Sequence, residues 1–297
     1  MAGVMLFGGN LSLAAAGTRA EPGRTRRDTT SGWGAADRER LVPRALAPRL
    51  LDLLRIPDPP PFMAPIGVDE YGTTVWHDLH HPAHGNLLVE ARSPEAQADA
   101  LRAAAIGLCL TTRPALLQVV AIDDGGRDLM VLESLPHAVV DVATNPAAAA
   151  VSLRWLGAEL GSRRGEGRNG PDMLLVLKDI DILASPAIRR GGEWFRRFLA
   201  GSESGLHVLA GVGPRGRRSG GRAGWSASHL MADGAAGRFV YRRGRHVRRV
   251  VGATLSVVDL DAVSRGEALR PPRERRRGDF AGRRSRSVDP VGAEPLA

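Results

Sequence analysis

Four short apolar segments, each followed by a longer connection, constrain the fold of this chain most. They span residues 86–90, 116–122, 173–177 and 205–210. Each segment is mostly apolar, which is typical of strands buried on both faces of a parallel sheet. Helical patterns follow the first three of them, at 95–110, 146–163 and around 194–199. We therefore expect a three-layer α/β domain, with a mainly parallel sheet covered by helices and a terminal β-hairpin at 237–251.

Changes in composition divide the rest of the chain. Residues 57–61 contain four prolines, which end a short predicted helix at about 46–56 and mark a boundary. The opening residues resemble the start of the predicted hairpin, because both have a small pair before an apolar strand. The predicted division is a remnant hairpin of a preceding module at 1–17, a linker with one helix at 18–62, the domain at 63–262, and a disordered Arg-rich tail at 263–297.

Positive charge and the near absence of lysine limit the possible chemistry. The formal net charge is +9, which favours an acidic partner such as nucleic acid, a lipid surface or an acidic protein face. Nine arginines and three acids lie between residues 265 and 286, so six of these charges belong to the tail. Arginine is also dense between residues 189 and 249, where a phosphate-binding face and a solvated surface are both possible. Of the 41 basic residues, only Lys178 is a lysine.

Cysteine content and hydropathy point to a compartment. Cys109 is the single cysteine, so an intrachain disulfide and a cysteine-based zinc site are both excluded. It lies in an apolar run, which is typical of a core residue. No continuous apolar stretch is long enough to span a bilayer, so we expect no transmembrane segment. We expect a cytoplasmic protein, with a peripheral position at the inner face of the cell membrane as an option.

Several phrases, in order, carry a family resemblance. They are PIGVD at 65–69, QVVAIDDGG at 118–126, LPH at 135–137 and GPD at 170–172. Together they resemble the FtsK/SpoIIIE motor ATPases, and most of all the tandem ATPase modules of the type VII secretion coupling protein. The resemblance covers about residues 64–255. It implies a RecA-like P-loop NTPase fold and stacking on other modules of this kind at a secretion channel.

The phosphate-binding loop of that family has no conventional counterpart here. A P-loop requires G-x-x-x-x-G-K-[ST], in which the lysine reaches the β- and γ-phosphates and the hydroxyl holds Mg²⁺. When this motif is aligned to the residues after the strand that ends at Val89, every signature position is substituted. Pro94 removes a further backbone N–H. The chain contains no Gly-Lys dipeptide. The vestigial loop positions are Ala91, Ser93, Ala96, Gln97 and Ala98.

The second family motif is also altered. A Walker B strand should end in Asp-Glu, but here residues 174–177 are followed by Lys178 and Asp179. A lysine at the first position would repel Mg²⁺. Three interpretations are open: residual metal binding by Asp179 and Asp181, an acidic pair stabilised at the strand end by Lys178, or Lys178 replacing the lost P-loop lysine. We predict no catalytic residue, no metal and no nucleotide cofactor, with ATP and Mg²⁺ expected only if the site is functional.

A histidine tract precedes the first of the four strands. His77, His80, His81 and His84 are close enough in sequence to ligate a transition metal. Pro82 breaks any helix there, so the tract is predicted to be an exposed loop rather than a metal site.

Three functional hypotheses follow. The leading one is a catalytically degenerate FtsK/SpoIIIE-like module that acts by binding, with other ATPase modules, secretion-channel proteins or a secreted protein as partners. The second is an active DNA-pumping or secretion ATPase with an unorthodox site. The third is a basic nucleic-acid-binding protein that uses the Arg-rich face and tail.

Overall fold

The computed structural model describes residues 47–56, 58–82, 84–165, 170–186, 188, 205–213, 227–234 and 237–266. All of them belong to one of the two units into which the chain divides, Val42–Ala297. The predictions for residues 1–46, for the helix at 194–199, for the arginines at 214–226 and for the tail beyond residue 266 lie outside the described residues.

One mixed sheet organises the described residues. Its nine strands are β1 Met63–Val68, β2 Thr74–Asp78, β3 Asn86–Glu90, β4 Leu117–Ile122, β5 Asp172–Leu177, β6 Leu206–Gly211, β7 Ala227–Ala232, β8 Arg238–Arg243 and β9 His246–Gly252. They lie in the order β2-β1-β9-β8-β7-β3-β6-β5-β4. From β7 to β4 all neighbours are parallel, and from β2 to β7 all are antiparallel.

Helices cover both faces of the parallel strands. The described α-helices are α1 Leu50–Leu53, α2 Pro94–Thr111, α3 Pro146–Gly165 and α4 Val257–Ser264, with 3-10 helices at Met130–Ser134 and Ile180–Ala184. Alternate residues of β5 face opposite sides, so Leu174 packs in one core with Leu101 of α2. Leu175 packs in the other core with Leu156 of α3. The continuous apolar strands predicted by the sequence follow from this burial on two faces.

The structure confirms the predicted α/β class and adds elements that the sequence analysis did not predict. The structure contains the four predicted apolar strands, the predicted helices at 95–110 and 146–163, and the terminal hairpin. Strands β1, β2 and β7 and helix α4 were not predicted. Strand β1 contains Pro65 and a register shift between Pro65 and Gly67, which obscures its pattern. Gly67 is needed for close approach, because a Cβ there would lie 2.1 Å from the carbonyl oxygen of Val251 in β9.

Two residues from the segments that carry the family resemblance hold loops in place. Asp69 accepts hydrogen bonds from the backbone N–H groups of Tyr71 and Thr73, both at 3.0 Å, and so fixes the β1–β2 turn. His137 donates from Nε2 to the carbonyl oxygen of Thr112 at 2.7 Å. Burial lowers the pKa of His137 and outweighs the effect of this hydrogen bond, so the imidazole is neutral near pH 7.

The segment before β1 packs against the domain. The predicted helix at 46–56 is shorter, because it begins at Leu50 after Arg49, whose backbone is extended. Leu50 is fully buried, and its N–H donates to the carbonyl oxygen of Thr254 at 2.8 Å. Arg49 pairs with Asp259 in the capping box of α4. Residues 49 and 50, which the sequence assigned to a linker, are therefore tied to the end of the fold.

Substitution of Leu50 tests whether this segment is part of the cooperative fold. Leu50→Ala removes a side chain with no exposed area and should lower the free energy of unfolding by about 2–5 kcal/mol. The matched control is Leu116→Ala, since that leucine is 47% exposed and should lose less than about 1 kcal/mol. Urea denaturation of the purified variants measures both values. Equal, small losses would mean that the segment does not contribute to the folded domain.

Candidate functional site

A pocket of about 670 Å³ opens at the carboxyl ends of the parallel strands. Its lining comes from residues that follow β3, β4, β5 and β6, including Arg92, Asp124, Lys178 and Gly213. Open α/β sheets bind ligands at this edge because the loops after successive strands converge there. The predicted vestigial positions Ala91, Ser93, Gln97, Lys178 and Asp179 all line this pocket. The structure therefore brings both altered motifs together.

The loop between β3 and α2 is short and uses its own polar groups. Three residues separate Glu90 from Pro94, where α2 already begins. The Ser93 hydroxyl caps the helix by accepting the N–H of Ala96 at 3.2 Å, and Pro94 offers no N–H. A phosphate-binding loop needs these first-turn donors to face the ligand. Here the protein itself satisfies one donor and lacks another.

A carboxylate also occupies the start of α2. Glu95 lies in the first turn, where its own backbone N–H and the Ser93 hydroxyl hydrogen-bond to it and lower its pKa. The positive end of a helix attracts an anion, and in this structure a side chain of the protein supplies that negative charge. A phosphate approaching the same helix end would meet this negative charge.

Gln97 lies where the family pattern places the P-loop lysine. Its side chain is 8% exposed, and Nε2 donates to the carbonyl oxygen of Lys178 at 2.8 Å. Gly211 makes room for this contact, because a Cβ there would lie 2.1 Å from Gln97 Nε2 and 2.0 Å from the Lys178 carbonyl oxygen. Gln97 is thus a neutral side chain hydrogen-bonded across the ends of β5 and β6. Next to it, Ala98 is a buried methyl group with no hydroxyl.

The single lysine of the chain is held by two acids that follow β4. Lys178 Nζ hydrogen-bonds to Oδ2 of Asp128 and lies 3.5 Å from Oδ1 of Asp123. Burial lowers the pKa of Lys178, but the hydrogen bond with Asp128 and the charges of both acids outweigh it, so the pKa is raised overall. The ammonium is therefore charged at all physiological pH values and is neutralised within the protein.

Asp123 has a structural role in the turn after β4. Its carboxylate is fully buried, and Oδ2 accepts the N–H of Leu129 at 2.9 Å. Gly126 fits against this group, because a Cβ there would lie 2.3 Å from Asp123 Oδ1 and 2.7 Å from Lys178 Nζ. Asp128 was not predicted as a site residue. Its only sequence signal is its place two residues after the Gly125-Gly126 pair.

The acids after Lys178 have different partners from those predicted. The sequence analysis considered that Lys178 stabilises Asp179 and Asp181, but the ammonium pairs with Asp123 and Asp128 instead. Asp179 caps the following 3-10 helix by accepting the N–H of Asp181 at 2.9 Å. Asp124, Asp179 and Asp181 all line the pocket. The lining thus carries three acids against two basic residues, one of which is already paired.

Known proteins of similar sequence or structure include DNA translocases and secretion ATPases. No family model matches the chain. A segment of 103 residues is 30% identical to the DNA translocase FtsK of Lactiplantibacillus plantarum, and it covers 35% of this chain and 13% of the translocase. ATPases 2 and 3 of EccC from Thermomonospora curvata, solved with a signal sequence peptide, superpose with a TM-score of 0.55 at 18% identity, over 73% of this chain and 44% of that one. ATPases 2 and 3 of EssC from Geobacillus thermodenitrificans superpose with a TM-score of 0.59 at 14% identity, over 77% and 53%.

The described domain has the fold of an FtsK/SpoIIIE-type ATPase module. The resemblance stated from the sequence and the RecA-like P-loop fold class are both confirmed. The FtsK/SpoIIIE-type fold also accounts for the location of the pocket at the carboxyl ends of the parallel strands. Among the described residues, no helix is both long enough and apolar enough to cross a membrane.

A double-mutant cycle measures the ion pair of Lys178. Lys178→Met leaves the buried Asp123 carboxylate without its partner and should cost roughly 2–3 kcal/mol, which is less than the roughly 3–5 kcal/mol of a fully buried pair because the lysine is 21% exposed. Asp123→Asn keeps an acceptor for the Leu129 N–H. The double variant should be more stable than additivity predicts by at least about 1 kcal/mol. Chemical denaturation of the four proteins gives the coupling, and additive losses would show that the pair does not stabilise the fold.

Proposed function

We propose that this chain is a catalytically degenerate FtsK/SpoIIIE-like ATPase module that acts by binding, as a regulatory or recognition subunit in type VII protein secretion. Its partners are other ATPase modules of the same kind, secretion-channel proteins or a secreted protein. It works in the cytoplasm, at the inner face of the cell membrane. Neither ATP nor Mg²⁺ is required for this role.

The observation that carries the proposal is the pairing at the carboxyl edge of the sheet. A P-loop lysine must be free to reach phosphate oxygens, whereas Gln97 is neutral and bonded to a carbonyl. Lys178 is paired with Asp123 and Asp128. Two unit charges at 4 Å interact by about 4 kcal/mol near a protein surface. Replacing a free cation by pocket acids should therefore weaken triphosphate binding by several kcal/mol.

The relatives support a binding role within secretion. A structural relative, EccC, was solved with a signal sequence peptide, so a module of this fold binds a peptide in that protein. Recognition of a peptide or of a neighbouring module depends on surfaces. Such surfaces do not need the phosphate-binding loop, and they remain available when that loop is closed by its own side chains.

Nucleic-acid binding is the alternative that the charge favours. In the β8–β9 hairpin, however, Arg248 lies 3.5 Å from Asp69 and Arg249 lies 3.4 Å from Asp233. These pairs neutralise part of the basic face within the domain. The two pairs therefore weigh against a phosphate-binding face at this part of the hairpin.

Phosphate release is the direct test of the enzymatic half of the proposal. The purified full chain, incubated with ATP·Mg²⁺ with and without duplex DNA, should release no more phosphate than buffer alone. An active FtsK motor domain serves as the positive control. Lys178→Ala serves as the matched variant, with its folding checked by thermal unfolding.

The possible outcomes separate the three hypotheses. Hydrolysis above background that Lys178→Ala abolishes would contradict the proposal and establish an unorthodox ATPase. Affinity for labelled duplex DNA that falls steeply with salt, and that is lost when residues 270–297 are removed, would favour the nucleic-acid-binding alternative. Association with tandem ATPase modules of a type VII coupling protein, without DNA affinity, is the result we expect.

A further inference from the structure

Two histidines and an aspartate meet at the amino-terminal edge of the parallel strands. Asp172 is the first residue of β5, and His207 is the second residue of β6. His80 follows β2 and lies in the loop that leads to β3. This edge is opposite the carboxyl edge, where the pocket with Lys178 opens. The cluster is therefore separate from the vestigial nucleotide site.

The three side chains direct potential ligand atoms toward one point. Nε2 of His80 lies 2.5 Å from Oδ2 of Asp172, and Nε2 of His207 lies 3.4 Å from the same oxygen. All three ligand atoms lie within 4.8 Å of one another. In a tetrahedral site with bonds of about 2.0–2.1 Å, neighbouring ligand atoms are roughly 3.3 Å apart. The 3.4 Å distance from His207 to Asp172 matches this spacing, and the 2.5 Å distance from His80 is shorter than it.

Two of the three side chains in this cluster are buried, and the third faces solvent. The side chains of Asp172 and His207 are 8% and 4% exposed, whereas that of His80 is 42% exposed. Two ligands are thus fixed by the sheet, and the third closes the site from the solvent side.

The loop that carries His80 is held in place before any ion binds. The ring of His80 stacks on Phe62 with centroids 3.9 Å apart, and its backbone N–H donates to Asp78 Oδ1 at 2.9 Å. Gly85 lets the loop fold back, because a Cβ there would lie 2.0 Å from the carbonyl oxygen of Leu79. Such positioning lowers the cost of ordering a ligand when the ion arrives.

The buried His77 fixes the same loop from the inside. Its Nε2 donates to the carbonyl oxygen of Gly85 at 3.0 Å. Burial lowers the pKa of His77 to about 4, so the ring is neutral. The prediction that the whole histidine tract is an exposed loop is wrong for His77, which lies in β2 with no exposed area.

We propose that His80, Asp172 and His207 form a binding site for a zinc-class divalent cation, with water in the fourth position. Two imidazole nitrogens and one carboxylate oxygen suit zinc, whereas magnesium and calcium prefer oxygen ligands. A bound ion joins the β2–β3 loop to the amino ends of β5 and β6. The site does not depend on the proposed function at the opposite edge.

The sequence alone could not assemble this set. His80 and Asp172 are 92 positions apart, and the tract offered His81 and His84 as nearer candidates. Those two rings stack on each other, with centroids 5.1 Å apart, and neither belongs to the cluster of His80, Asp172 and His207. They provide a matched control, since they are histidines of the same loop that the site does not use.

Zinc titration of the metal-free full chain tests the proposal. Calorimetry should show one saturable Zn²⁺ per chain, and Co²⁺ should give the visible absorption of a low-coordinate site that Zn²⁺ then removes. His80→Gln, at an exposed position that leaves the fold intact, should weaken Zn²⁺ binding at least tenfold. Zn²⁺ should raise the Tm of the unmodified chain and leave that of His80→Gln nearly unchanged.

The two histidines outside the cluster provide the control variant. The double variant His81→Gln/His84→Gln should bind Zn²⁺ with unchanged affinity. Absence of saturable binding would overturn the proposal and leave a hydrogen-bonded His-Asp-His cluster. Equal affinity in His80→Gln, or loss confined to the double variant, would overturn it as well, because the ion would then bind elsewhere.

Discussion

The ion pairing of Lys178 with Asp123 and Asp128 organises the carboxyl edge of the sheet. Asp123 is fully buried, and a buried carboxylate is stable only with a cation or several hydrogen-bond donors. Lys178 supplies that cation from the end of β5 and so ties β5 to the turn after β4. Its backbone carbonyl receives the side chain of Gln97 from α2. One residue thus joins three elements that would otherwise surround a bound phosphate.

The same pairing connects the substitutions at the P-loop and Walker B positions. A lysine at the first Walker B position would repel Mg²⁺, and without bound nucleotide a free P-loop lysine would have no phosphate partner. In this chain the lysine serves as an internal counterion, and a neutral glutamine fills the P-loop position. The helix N-terminus is capped by Ser93 and faces Glu95. Each of these contacts forms within the protein and needs no bound anion.

Much of the fold could be predicted because its central strands are buried on both faces. Continuous apolar runs such as 173–177 reveal strands of that kind without any knowledge of their neighbours. Strand β1 was missed because Pro65 and Gly67 interrupt its pattern, and the close approach that requires Gly67 is a contact with β9. The location of the site was predicted from strand ends. The partners of Lys178 were not, because Asp128 lies 50 positions away in sequence and only the turn after β4 brings it near.

The two edges of the parallel strands therefore differ in character. One edge holds a pocket whose lysine and glutamine are hydrogen-bonded or ion-paired within the protein, and the other holds a histidine and aspartate cluster with one exposed member. In the proposed role, the surfaces of the domain would serve recognition without a nucleotide cycle.

Calorimetric titration of ATP·Mg²⁺ into the purified full chain tests the central claim most directly. The protein concentration should be high enough to detect a dissociation constant of ~1 mM, about 4 kcal/mol of binding free energy. The account predicts no detectable binding, while an FtsK motor domain binds under the same conditions. Micromolar binding of ATP·Mg²⁺ would contradict it, because the pairing of Lys178 and Gln97 would then not prevent a nucleotide from occupying the site.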